Sequence, residues 1–186
     1  MDMRVVGLDA SLLQTGICGP ELQTGVMCPP PKLQGPGRLA YLRDNMERVL
    51  SAMLPDVILL EEYAFGAVSS SKAQIAEWGG VLRLLLYEHG WKTILINPSL
   101  LKIYVTGNGN AKKEDLVSVI SAQTGRIFPC SDEADAWALA AMAWDYLGEP
   151  ILKVPARQRL ALDKVDWSAI GGSRPPAKPK KKKRKC

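Results

Sequence analysis

The sequence predicts an α/β fold, and three observations carry the prediction. Apolar runs of strand length, at 5–8, 57–60 and 94–96, are bounded by small, polar or turn-forming residues, the pattern of strands covered on both faces. Between them lie longer stretches with apolar residues at helical spacing. The first two runs also lead straight into carboxylates, Asp9 and Glu61, and ligand sites in such sheets collect where strands end.

With 186 residues, 47% of them hydrophobic and 23% charged, the chain is long enough to bury one core. The expected organisation is a domain over 1–150, an appendage over 151–172 and a Lys/Arg-rich tail over 173–186. No 18-residue apolar stretch is present and the run before Leu8 is too short for a signal peptide, so the protein is expected to be soluble and intracellular, with no membrane partner. Cys18, Cys28, Cys130 and Cys186 form no Cys-x-x-Cys pair, and reduced thiols are expected. The net charge of +5 is unevenly placed. Residues 174–186 hold eight of the 24 bases and no acid, so the other 16 bases face 19 acids and the folded part is slightly acidic. A tail of that composition has nothing to bury and is expected to be disordered, with non-specific attraction to a polyanion as its role and a solubilising or targeting extension as the alternative.

Taken in order, the segments around Gly16 to Gly19 and Leu22 to Met27 read as the second and third strands of an antiparallel meander begun by the strand that ends at Asp9. Residues 38–53 place Leu39, Leu42, Met46, Leu50 and Met53 at helical spacing, and Pro55 ends that helix. The run 57–60 delivers Glu61. A long helix over 71–88 follows, with Ile75, Trp78, Leu82 and Leu85 on one stripe. Its central Gly79-Gly80 pair lowers helix stability and suggests a close backbone approach, to the sheet, to another helix or across a dimer contact. Residues 92–96 form the last strand, and a short helical segment runs through Lys102. The loop Gly107-Asn-Gly109-Asn-Ala-Lys112-Lys113 then offers freed amides beside two ammonium groups, which suits phosphate oxygens, although a solvated turn has the same composition. The last helix opens Ser131-Asp132-Glu133-Ala134-Asp135. Acids in a first turn complement the helix dipole, with Ser131 or Asp132 as cap, yet Asp132 and Asp135 are also spaced to stack on one face amid alanines.

Asp9, Glu61, Asp132 and Asp135 therefore form a constellation that would repel itself without cations. Hard oxygen ligands without sulfur or imidazole favour magnesium, with manganese as the alternative, and two such ions suit in-line phosphodiester hydrolysis. His89, the only histidine, lies at the far end of a helix, which excludes a multi-histidine metal site and disfavours a Ser-His-Asp hydrolase.

The segments Val5-Val-Gly-Leu-Asp9-Ala-Ser11, Leu59-Leu-Glu61-Glu62-Tyr-Ala-Phe65-Gly66 and Asp132-Glu-Ala-Asp135-Ala-Trp-Ala-Leu-Ala140 together resemble the RuvC family of Holliday-junction resolvases, most closely its phage-type branch, over residues 3–147. The resemblance implies a ribonuclease-H-like fold, a mixed five-stranded sheet flanked by helices. It implies metal-binding acids at Asp9, Glu61, Asp132 and Asp135, with Lys113 in the catalytic set. It implies phosphate contacts from Lys102 and Lys113, with Lys112 beside them, and base stacking at the junction centre by Phe65. Counting back from Phe65 favours Glu62 as the second acid, whereas the strand pattern favours Glu61, which is preferred. A homodimer that resolves four-way DNA junctions by paired symmetric nicks with two magnesium ions per site follows from the resemblance, with the helix over 71–88 as its interface. Location is expected to be cytoplasmic for a phage or bacterial protein and nuclear for a eukaryotic one, given the tail. The alternatives are a ribonuclease H, a flap or branched-DNA nuclease on the same fold, and a branched-DNA binding module without catalysis. A two-domain sugar kinase would need a longer chain.

Overall fold

The computed structural model describes residues 3–62 and 70–171. Five strands form one mixed sheet: β1 (Val5–Asp9), β2 (Thr15–Cys18), β3 (Thr24–Met27), β4 (Val57–Glu61) and β5 (Thr93–Ile96), in the order β3-β2-β1-β4-β5. β1, β2 and β3 are the antiparallel meander, while β4 and β5 run parallel to β1. The parallel pairs are joined through α1 (Gly35–Met53) and α2 (Ser70–Glu88), the crossover helices that such pairs require. Every residue of β1 and of β2 is buried, which accounts for their lack of a polar alternation.

The sheet separates two apolar layers. On one face α1 and α2 pack Leu42, Met46, Leu50, Trp78, Leu82 and Leu85 against Val6, Leu8, Ile58 and Leu60. On the other lie α3 (Pro98–Thr106), α4 (Lys113–Thr124) and α5 (Ser131–Tyr146). α5 crosses β1 and β2 with backbones nearly touching. A Cβ at Gly7 would collide with the Ala136 carbonyl, and one at Gly16 with the Asp132 carbonyl. Only glycine permits this approach, and the buried alanines 134, 136, 138, 140, 141 and 143 keep the facing helix equally slim.

Two expectations change. α5 begins after Cys130, whose side chain makes no capping bond, so neither Ser131 nor Asp132 is the cap; the Asp132 carboxylate instead meets Lys113. At Gly80 the close approach is absent among the described residues, because a Cβ there would meet none of their atoms within 4 Å and the residue is exposed on α2. Gly79 is buried. Residues 151–171 form a short helix, α6 (Ala156–Arg159), and two 3-10 turns, Leu162–Lys164 and Ser168–Ile170. Leu152, Ala161, Leu162 and Trp167 of this stretch are buried in the same cluster as α3, α4 and α5. Among the described residues, no helix is long and apolar enough to cross a membrane.

Candidate metal centre

The parallel register of β1 and β4, Val5 with Val57 through Leu8 with Leu60, brings Asp9 and Glu61 to neighbouring strand ends. The loop after Asp9 is tied back by Thr15, whose hydroxyl donates to the Ser11 carbonyl at 2.7 Å and accepts from the Trp78 indole N–H at 3.2 Å. The close crossing of α5 over Gly7 and Gly16 places its first turns above the same strand ends. Asp9, Glu61 and Asp135 each offer a carboxylate oxygen, and these oxygens lie within 4.8 Å of one another. Glu62 is not in this group; its N–H continues the sheet by donating to the Ile96 carbonyl at 2.8 Å.

Lys113 enters from the start of α4. Its Nζ lies 2.8 Å from Asp132 Oδ1, 3.1 Å from Asp135 Oδ2 and 3.4 Å from Asp9 Oδ2. Asp132 thus joins the constellation through the ammonium rather than through the tight oxygen group. The helix start that aims Lys113 is held by Asp115, whose carboxylate accepts the Lys112 backbone N–H at 3.0 Å. Lys102, on α3, is near enough for its charge to lower the affinity of Glu61 and Asp135 for protons, and Lys112 is exposed beside the site. Phe65 lies outside the described residues, as does the tail over 173–186.

The Lys113 ammonium, in contact with three of the four carboxylates, and the more distant Lys102 do not balance the site. Burial pushes Asp9 up to about 7, with Asp135 and Asp132 adding repulsion and Lys113 opposing it. Burial, then Asp9 and Asp135, push Glu61 up to about 8. Asp135 is raised as well, chiefly by burial. For Lys113, burial acts to lower the affinity for its proton, but Asp9, the hydrogen bond to Asp132 and Asp135 outweigh it and hold the ammonium above the ordinary lysine range. Crowded, partly desolvated carboxylates that favour protonation near neutrality are groups whose charge a bound cation would stabilise.

The donor set fits a hard divalent ion. All the donors are carboxylate oxygens, and oxygens sharing one octahedral ion at about 2.1 Å must lie roughly 3 to 4 Å apart, a range that falls inside the 4.8 Å within which these oxygens lie. The position taken by the Lys113 Nζ shows that a cation is accommodated among Asp9, Asp132 and Asp135.

The family resemblance put Lys113 in the catalytic set, but the residue pattern revealed neither its ion pairs with the acids nor the glycine contacts under α5. Gly7 inside an otherwise apolar strand was the available signal for the second. Nothing in the spacing of Lys113 signalled the first.

The model of the family described as Crossover junction endodeoxyribonuclease RuvC matches residues 20–143. A Crossover junction endodeoxyribonuclease RuvC of Mycobacterium sp. (strain KMS) is 31% identical over 150 residues, covering 74% of this chain and 80% of the relative. The protein of that name in Gloeobacter violaceus is 28% identical over 153 residues, covering 76% and 88%. The structure of Thermus thermophilus RuvC in complex with a Holliday junction substrate superposes with a TM-score of 0.62 at 21% identity, covering 74% of this chain and 90% of that one. That last likeness is one of fold.

Proposed function

The chain belongs to the RuvC family of crossover junction endodeoxyribonucleases, and on that premise we propose that it resolves four-way DNA junctions by paired, symmetric nicks. The observation that carries this reading furthest is the meeting of Asp9, Glu61 and Asp135, with Asp132 and Lys113 against them, at the strand ends of the sheet. Asp9, Glu61, Asp132 and Asp135 would hold two divalent ions, magnesium or manganese. When bound, these would supply an activated water and Lewis acidity for in-line phosphodiester hydrolysis.

The remaining work falls to the chain's own side chains. The Lys113 ammonium neutralises the acids from one side and, with Lys102 and Lys112, offers cationic partners for the phosphates flanking the cut. Burial of Asp9 and Asp135 limits competing water around the carboxylates. Phe65 is assigned to base stacking at the junction centre. Residues 1–150 form the nuclease domain, 151–172 an appendage and 173–186 a basic tail that adds sequence-independent attraction to DNA. The relatives named above are bacterial, and a bacterial cytoplasm suits this assignment.

A junction with twofold symmetry needs two sites at fixed separation, so the working unit is a homodimer. α2 supports this, since Leu84 and Tyr87 are exposed apolar residues on it and Gly80 is open to a partner. Gly80→Arg meets no described residue within 4 Å of its Cβ and is expected to give a folded monomer with uncoupled nicks. Sedimentation checks this, and an unchanged dimer would move the interface elsewhere.

The deciding experiment is cleavage of a synthetic four-way junction with magnesium and with chelator, beside an RNA–DNA hybrid of the same length. Paired nicks in the junction, lost in chelator, are expected. Preference for the hybrid would indicate a ribonuclease H, and tight binding without cleavage a binding module.

A further inference from the structure

The family model ends at residue 143, yet the chain beyond it is built into the layer that carries the catalytic loop. We propose that α6 positions the loop leading to Lys113, with Arg159 and Gln158 as its positioning residues; the inference rests on the assignment of Lys113 above.

Two contacts carry it. Asp145, near the end of α5, is fully buried, accepts from the Tyr104 hydroxyl of α3 at 3.1 Å and is paired with the Arg159 guanidinium of α6. These three side chains lock α3, α5 and α6 together. One residue before Arg159, the Gln158 amide packs on Gly107, where an added Cβ would lie 2.8 Å from its Nε2. Gly107 ends α3 in the left-handed region, at φ 83°, and opens the loop.

From Gly107 the loop is stiff. The Asn108 N–H donates to the Thr106 hydroxyl, the Asn110 N–H to the Asn108 side chain, the Ala111 N–H to the Asn108 carbonyl and the Lys112 N–H to Asp115. Ala111 is buried. A displacement at Gly107 is therefore passed to Lys113 rather than absorbed between them.

A purely structural purpose would not need a charge here. An ion pair with a fully buried carboxylate, such as Asp145 with the partly exposed Arg159, contributes little stability compared with apolar side chains of similar volume, and the best-attested use of such pairs is to fix one arrangement among several. The neighbouring Leu152, Leu162 and Trp167, the last stacked on Tyr146 with ring centroids 4.0 Å apart, already supply apolar anchoring.

The test uses the full chain carrying Asp145→Leu with Arg159→Met, which removes the pair without stranding a buried charge, and separately Gln158→Ala. Single-turnover junction cleavage, junction affinity and hydrogen exchange are measured on each. The double variant is expected to nick about tenfold more slowly at saturating enzyme, because a small misplacement of a catalytic group is costly, with junction affinity within about twofold. Amides 107–113 are expected to exchange faster in both variants, while those in the first turn of α5 do not change. Wild-type exchange at 107–113, or slower nicking explained entirely by weaker binding, overturns the inference. If the parent protein does not cut junctions, the functional assignment fails and the exchange measurement alone decides whether α6 positions the loop.

Discussion

Helix α5 holds buried aspartates near both ends, and the two are treated in opposite ways. Asp145 is fully buried but answered by a dedicated guanidinium and a tyrosine hydroxyl. Asp135, ten residues or about 15 Å earlier, sits with Asp9, Glu61 and Asp132 against the single ammonium of Lys113. The fold can neutralise a buried acid, as the first site demonstrates, and at the second it does so incompletely. Burial with a matched partner reads as structure. Burial with an excess of like charge reads as a site that awaits a cation and an anionic substrate.

The contrast can be broken most directly by removing one charge at each site. Asp9→Asn, Asp132→Asn and Asp135→Asn are expected to cut junction cleavage by more than about 100-fold, since replacing a ligand should exceed the effect of disturbing its surroundings, while junction binding is retained or strengthened. Glu61→Gln is expected to match them and Glu62→Gln to cleave nearly normally. Wild-type rates for any one of the four would remove that residue from the site.

At the other end of α5 the expected loss is of stability. Arg159→Met alone strands the Asp145 carboxylate and should lower unfolding free energy by about 3–5 kcal/mol, measured with denaturant. Adding Asp145→Leu should recover most of it. Equal damage from both variants would mean that the pair, not the stranded charge, supplies the stability.

Lys113→Met sharpens the comparison. Without the ammonium Asp9, Asp132 and Asp135 lack their only direct cationic contact among the described residues, so the variant is expected to melt lower in chelator at pH 8 and to gain more from added magnesium than the parent does. A magnesium-dependent shift no larger than the parent's would contradict the counter-ion role.

The last expected effect is on pH. Asp9 and Glu61 are raised in the folded protein from 3.8 and 4.5 to about 7 and about 8, so between about pH 4 and 8 the native state binds more protons than the unfolded chain. Stability from these groups is then full at low pH and is lost as pH rises through that window. Melting in chelator should show this decline, and Asp9→Asn should flatten it. A melting temperature that climbs through the window would reverse the sign and with it the account of the acids.

Much of this is legible in the amino-acid sequence alone. Asp9 and Glu61 could be read because each ends an apolar run, and a strand's direction fixes which end its last side chain occupies. Asp132 and Asp135 could be read because a helix places residues three apart on one face. Local periodicity holds that information, and charge composition separated the basic 174–186 from an acidic remainder. Residues 151–171 carried no comparable pattern, since α6 is four residues long and the rest is turns.

What only the tertiary structure decided are the relations between distant segments. The approach of α5 over Gly7 and Gly16, the insertion of Lys113 among acids from β1 and α5, and the meeting of Tyr104, Asp145 and Arg159 join residues far apart in the chain. Such pairings are selected by the packing of whole elements, and no single segment encodes them. The same limit explains Gly80. A glycine pair in a helix signals that something comes near, but the sequence does not say what, and among the described residues the space beside Gly80 is open.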